Sequence, residues 1–362
     1  MIRSADFHAR HLRLALDSGV LDRITRAMAL EAMIQSGAGG PERQHVRDCL
    51  AQAGCLAAES GDAYGQALCA LARGVAALAV GEWRRAHEHC ERALVMLRDQ
   101  RLAATWERNC AQVFSLGALL YQGHLREVSA LLPPLLAVAR DRGDLYLETE
   151  LRTRMNLVWL AADRPDEGQR EADDAMQRWS QAGFHRQHYN HVLARVQTEL
   201  YSGRARAAWA LVSDNWAAIE KTQLLRLQVI RVEAWYLRAR AALLMAATGT
   251  ETRRFLRVAR RSSRRIAREN MPWSDAIASL LTAGIAHVES RPDMAIEQLT
   301  AALHGFEQTD MKLYAAVARR CLAQLTGGSR ADQYRHDCDE WMAAENLVNP
   351  SRMTQLIAPG FA

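Results

Sequence analysis

Breaks in the helical pattern recur along this chain at a nearly constant interval of about 41 residues, which is typical of stacked repeats. One series of breaks falls at Gly61, Leu102, Gly143, Gly183, Gln223, Met271 and Asp310. A second series lies about halfway between them, at Gly81, Gly123, Asp163, Gly203, Gly249 and Ser290. The two series indicate two helices per unit, so the sequence predicts an all-α solenoid of antiparallel helix pairs. We expect a continuous array over residues 1–346 and a tail or capping segment at 347–362.

A small or aliphatic residue stands five positions after most breaks of the second series. These residues are Ala86, Val128, Gly168, Ala208 and Ala295. Small side chains let two helix backbones approach closely, as an antiparallel pair requires. Between the breaks, apolar residues follow a helical spacing, as at Leu68, Leu71 and Val75. The small residues are therefore expected at the points where paired helices cross.

The composition is that of a folded protein, because 49% of the residues are hydrophobic and 24% are charged. The only lysines are Lys221 and Lys312, so nearly all 46 basic residues are arginine. We interpret this bias as a consequence of GC-rich coding DNA. The formal net charge of +5 is small for the 362 residues and does not indicate a general polyanion binder.

Cysteine usage and the amino-terminal residues bear on the compartment. The seven cysteines are odd in number and include no Cys-x-x-Cys pair, which favours a reducing environment. Arg3, Asp6 and Arg10 interrupt the start of the chain, unlike the apolar run of a secretory signal. The most apolar stretch, from Ala67 to Val80, contains Arg73 and is too short to span a bilayer. The sequence thus predicts a cytoplasmic protein without a membrane span.

The helix-pair pattern, with its small crossing residues and Gly/Asp turns, resembles the tetratricopeptide repeat family. That resemblance implies a tetratricopeptide-like superhelix that binds a protein or peptide. Three stretches are also similar to the C-terminal region of large bacterial serine/threonine kinases with a central ATPase module: ADFHARHLRLALDSG from Ala5, RWSQAGFHRQHY from Arg178 and NPSRMTQLIAPGF from Asn349. This second resemblance implies a sensor or regulatory region whose partner is an attached kinase or ATPase module.

The motifs that carry kinase or nucleotide chemistry are absent from the sequence. It contains no His-Arg-Asp loop, no Asp-Phe-Gly and no glycine-rich phosphate loop followed by lysine. His185, His188 and His191 are three residues apart, but no carboxylate or cysteine at matching spacing completes a metal site. We therefore predict a non-catalytic scaffold with no catalytic residue, no cofactor and no metal.

A solenoid exposes a concave wall formed by the first helix of each unit, and aromatic and arginine side chains there serve as binding anchors. Extrapolating the helical phase predicts one set of residues for this groove. They are Arg152, Trp159, His188, Tyr189 and Arg195.

The run RRFLRVARRSSRRIARE, from Arg253 to Glu269, is the strongest local charge feature. A narrow stripe of Phe255, Ala259, Ser262 and Ile266 runs along it, and most of the arginines spread over the opposite face. The alternative function is therefore an electrostatic adaptor that binds nucleic acid or an anionic surface. Its basic surface would comprise Arg253, Arg257, Arg260, Arg261, Arg264 and Arg268. A solvated outer helix in an arginine-rich protein is the competing interpretation.

Overall fold

The computed structural model describes residues 2–39, 43–99, 104–249 and 251–361. Within these ranges every regular element is a helix, which confirms the predicted all-α solenoid. In the described part of the chain, short 3-10 turns at Gln223–Arg226 and Pro359–Phe361 accompany the α-helices. The α-helices are α1 (Ile2–Ser18), α2 (Leu21–Ser36), α3 (Arg43–Ser60), α4 (Ala63–Ala79), α5 (Trp83–Asp99), α6 (Thr105–Gln122), α7 (Leu125–Asp141), α8 (Leu145–Arg154), α9 (Leu157–Ala161), α10 (Pro165–Arg178), α11 (Arg186–Tyr201), α12 (Ala205–Lys221), α13 (Gln228–Ala247), α14 (Thr252–Ala267), α15 (Pro272–Val288), α16 (Pro292–Gln308), α17 (Lys312–Leu325), α18 (Gly328–Ala344) and α19 (Pro350–Ile357).

The predicted breaks that lie in the described ranges all fall between α-helices, and Gln223 begins a 3-10 turn there. Leu102 lies outside the described ranges. Many adopt the left-handed conformation in which glycine is favoured, as Gly143 does with a φ of 62°. Asp163 takes the same role without glycine, at a φ of 54°. Aspartates also begin helices, since the Asp144 carboxylate accepts a hydrogen bond from the Leu147 amide at the start of α8. The local turn chemistry thus produces the repeat.

Gly168 lies at a close helix crossing, as predicted, and the other four predicted residues are buried. Ala86, Val128, Ala208 and Ala295 are fully buried. At Gly168, an added Cβ would lie 2.8 Å from Asn156 Oδ1 and 3.0 Å from Trp159 Cβ. A larger side chain would push α10 away from the preceding helix, so glycine permits this close crossing.

The chain divides into two compact units. The first comprises Met1–Ala118 with Arg226–Val229, and the second comprises Leu119–Leu225 with Ile230–Ala362. In the first unit, Leu68 and Leu71 of α4 lie in a core with alanines and cysteines of α2, α3 and α5. In the second, α15 packs against α14 and α16, and α17 packs against α16 and α18. No helix in the described ranges is both long enough and apolar enough to cross a membrane.

Candidate functional site

We call α8, α11, α13, α15 and α17 the inner helices of the second unit. Several of them contact residues 347–361 of the same chain, which we call the C-terminal segment. Its helix α19 packs on α11 and α17, and the following 3-10 turn packs on α15. Met353, Leu356, Ile357 and Phe361 are buried in these contacts. The predicted tail therefore lies against several repeats and does not merely cap the last helix pair.

Side chains of α13 cap the carboxyl end of α19. The Tyr236 hydroxyl donates to the Ile357 carbonyl at 2.6 Å, and the Arg240 guanidinium donates to the Leu356 carbonyl at 3.0 Å. Arg240 is only 2% exposed and lies 4.2 Å from the centre of the Tyr236 ring. The last carbonyls of a helix lack intrahelical partners and carry partial negative charge. A buried guanidinium is accommodated at this helix end because it meets those carbonyls and an aromatic face.

The end of the C-terminal segment contacts α15 through backbone and ring contacts. An added Cβ on Gly360 would lie 2.8 Å from the Gly284 Cα and 2.9 Å from its carbonyl oxygen. The Phe361 ring stacks on His287 at a centroid distance of 4.7 Å. Burial lowers the pKa of His287, which favours the neutral imidazole in this stack. Glycine at both positions allows the two backbones to touch.

A polar network lies among the inner helices of the second unit. Arg154 of α8 contacts a Glu233 carboxylate oxygen of α13 at 2.6 Å, and Tyr189 donates to the other oxygen at 2.9 Å. Tyr121 of α6 donates to the same carboxylate at 3.4 Å. Burial by itself would lower the pKa of the Arg154 guanidinium. The adjacent Glu233 carboxylate raises this pKa, and the net shift is upward. Residues from four repeats, in α6, α8, α11 and α13, are joined in this way.

Three of the five predicted groove residues are buried and do not line an accessible wall. Trp159 is 8% exposed and packs against Gly168 of α10, and Tyr189 is completely buried beneath Glu233. Arg152 is 6% exposed because it contacts Glu171 of α10 at 2.6 Å and Glu148 at 3.3 Å. Arg152 is thus paired with an acidic residue of α10. The prediction that Arg152, Trp159 and Tyr189 line an open groove was therefore wrong.

The other two predicted groove residues are partly exposed. Arg195 donates to Asp173 of α10 at 3.0 Å, and the same carboxylate oxygen contacts His191 at 2.7 Å. His188 accepts a hydrogen bond from the His185 amide and packs beside Phe184. Burial lowers the pKa of His188, and His185 and His191 act in the same direction. Both side chains therefore stabilise the start of α11 and its contact with α10.

The arginine helix is α14, and its burial follows the predicted stripe. Phe255, Ala259 and Ile266 are buried together with Leu256 and Ser263. Within the described ranges, one set of arginines is exposed and meets no carboxylate at ion-pair distance: Arg253, Arg257, Arg261, Arg264 and Arg268. Arg260 differs from the others because it pairs with Glu289, whose pKa it lowers through a hydrogen bond. Five of the six predicted arginines are therefore exposed within the described ranges, whereas Arg260 is paired.

An arginine-tryptophan stack joins α14 to its neighbours. The Arg265 guanidinium lies 4.1 Å from the Trp235 ring centre, and Arg238 lies 4.2 Å from Trp216. The two tryptophans meet edge to face at 4.7 Å. Burial lowers the pKa of Arg238; Glu220 opposes the shift, while Arg261 and Arg265 add to it. Positive charge is therefore concentrated at this edge of α14.

Sequence reasoning missed Tyr236, Arg240 and Glu233, which hold the inner face of the second unit together. One signal was present: Arg240 interrupts the apolar run of α13 and stands one helical turn after Tyr236. No protein-family model matches the chain, and no curated protein matches it. The fold alone defines its class as an all-α helical-repeat protein.

Proposed function

We propose that this chain is a non-catalytic scaffold whose inner helices bind protein segments and regulate a larger signalling protein. The observation that carries the proposal is the seating of the C-terminal segment on α11, α13, α15 and α17. Side chains of the array donate to its main-chain carbonyls, and its apolar side chains are buried. A helical repeat array binds a partner peptide by the same kind of contact.

A labelled peptide with the sequence of residues 347–361 tests this proposal by fluorescence anisotropy. The tethered copy has an effective concentration of about millimolar, so the wild-type protein should bind the free peptide poorly. A Leu356→Ala change in the protein weakens the contact between its own C-terminal segment and the inner helices. The variant should therefore bind the free peptide about 10-fold or more tightly than the wild-type protein does.

The matched control is the same peptide carrying Leu356→Ala, which should not compete for the inner helices. Circular dichroism checks that the protein variant keeps its helical content. A variant that stays helical and yet fails to bind the wild-type peptide would contradict the proposal.

A narrower proposal is that the array regulates a bacterial serine/threonine kinase with an ATPase module, in the cytoplasm. Its support is the resemblance of the three quoted stretches and the absence of kinase motifs from the sequence. The purified 362-residue protein should neither bind ATP nor transfer phosphate. Coding DNA for a kinase or ATPase upstream of Met1 would support it, and phosphorylation by the purified chain would overturn it.

A second candidate function is electrostatic binding of nucleic acid or an anionic surface through α14. The unpaired arginines on its exposed face favour this candidate. Changing Arg257, Arg261 and Arg264 to glutamine should abolish binding to duplex DNA or anionic vesicles at low salt and leave helicity unchanged. The wild-type affinity should fall steeply with salt because released counterions drive such binding.

The matched control changes Arg319, Arg320 and Arg335 to glutamine. Each of these arginines has a carboxylate partner, in Glu307, Asp339 and Asp332, and the net charge falls by the same amount. Equal loss of binding in both triple variants, or binding that is insensitive to salt, would exclude α14 as the binding surface.

A further inference from the structure

The first unit contains a cavity of about 340 Å³ that no sequence prediction identified. Most of its lining residues belong to α3, α4 and α5, and Gln35 and Ser36 at the end of α2 line one side. Small-molecule sites typically occupy about 300 to 1,000 Å³ and combine an apolar lining with a few polar groups. The cavity is therefore large enough for a small organic molecule.

Arg73 is the unusual residue of this cavity. It stands in the middle of α4, the helix formed by the most apolar stretch of the chain, and its side chain is partly buried. Among the described residues, no carboxylate lies within ion-pair distance of it. A methyl group in place of the Gly54 hydrogen would lie 2.4 Å from the Arg73 guanidinium, so this group reaches the backbone of α3. Desolvated guanidinium groups usually have a partner of opposite charge.

The other charged residues of the lining add to the positive charge that Arg73 brings to the cavity. Arg47 and Arg85 also line the cavity, and Glu82 is the only acidic residue among the described lining residues. Glu82 is exposed and contacts Arg85 at 3.1 Å, which leaves Arg47 and Arg73 without compensation from the lining. Burial lowers the pKa of His89, and Arg73 adds to the shift, so His89 is neutral near pH 7.

The remaining wall is largely apolar. Val46 and Leu50 of α3 face the cavity, as do Ala76, Ala77 and Val80 near the end of α4. Guanidinium groups bind both carboxylates and phosphates through paired hydrogen bonds. A ligand that matches this lining has an anionic head and a short apolar body.

We propose that the cavity binds a small organic anion, with its carboxylate or phosphate head on Arg73 and its alkyl body against Val46 and Leu50. The contact is electrostatic and apolar, and no bond is made or broken. This site is independent of the inner helices of the second unit and adds a small-molecule ligand to a protein-binding scaffold.

Isothermal titration calorimetry on the full chain tests the site, with octanoate and octyl phosphate as probes in separate titrations. One of them should bind saturably, and the one that binds identifies the head group. Butanoate should bind more weakly than octanoate, because its shorter chain makes less contact with Val46 and Leu50. Arg73→Gln should weaken binding about 10-fold or more, because it removes the charged hydrogen-bond donor that holds the anionic head.

The matched control is Arg92→Gln. Arg92 lies on α5, the helix that also supplies Arg85, but it is exposed and does not line the cavity. It should leave the affinity within about 2-fold, since exposed charges are well screened. Ala76→Phe fills the cavity without altering charge and should also abolish binding. Absence of saturable binding by both probes at millimolar concentration would overturn the proposal, as would equal losses in Arg73→Gln and Arg92→Gln.

Discussion

A chain that ends at Asn346 should lose several kcal/mol of unfolding free energy in its second unit. The missing residues include Met353, Leu356, Ile357 and Phe361, and burial of each such side chain contributes about 1.5 to 3 kcal/mol. The truncation also leaves the buried Arg240 guanidinium without its carbonyl partner. Urea denaturation monitored by circular dichroism measures the loss, and an unchanged midpoint would show that the C-terminal segment is dispensable.

Single substitutions separate packing from chain length. Leu356→Ala removes a fully buried side chain and should cost about 2 to 5 kcal/mol. Val348→Ala is the matched control within the same segment, because Val348 is 64% exposed and its loss should cost less than about 0.5 kcal/mol. Equal effects of the two changes would mean that the segment is not packed as described.

Replacing Glu233 by methionine should destabilise the second unit by about 3 to 5 kcal/mol, because it leaves Arg154 buried without a counter-charge. The exposed fractions of the two side chains are only 15% and 14%, so solvent cannot substitute for the lost partner. Tyr189 would also lose its hydrogen-bond acceptor. Chemical denaturation of the variant measures the effect.

The double variant Arg154→Met with Glu233→Met distinguishes the cost of an unpaired charge from the loss of general packing. Two apolar side chains of similar length should recover most of the stability, since a buried ion pair is itself costly to desolvate. A double variant as unstable as the sum of the two single variants would show that the charges are not coupled.

The sequence predicted the local parts of the structure well. Its predicted breaks, such as Gly143 and Asp163, depend on turn chemistry and a 3.6-residue period, which operate within a few residues. Ala86 and Gly168 lie at helix crossings for the same reason, since a small residue is needed wherever two backbones approach. The apolar stripe of α14 is likewise a property of one helix.

The predicted groove was the weakest inference, and the reason is physical. All five predicted residues, Arg152 and Arg195 among them, were assigned to an open wall by extrapolating the helical phase. The structure instead directs Arg152 and Arg195 to Glu171 and Asp173 of α10. A helical phase error of one residue rotates a side chain by about 100°, which is enough to move it from the wall to the neighbouring helix.

The sequence by itself determined a stack of antiparallel helix pairs of period about 41, with breaks and crossing points that local chemistry specifies. Only the tertiary structure decided what the inner helices of the second unit enclose. Tyr236 and Ile357 are 121 residues apart in the chain, yet they form a buried hydrogen bond. Such contacts depend on how helices far apart in the chain pack together, and this packing has no local sequence signal.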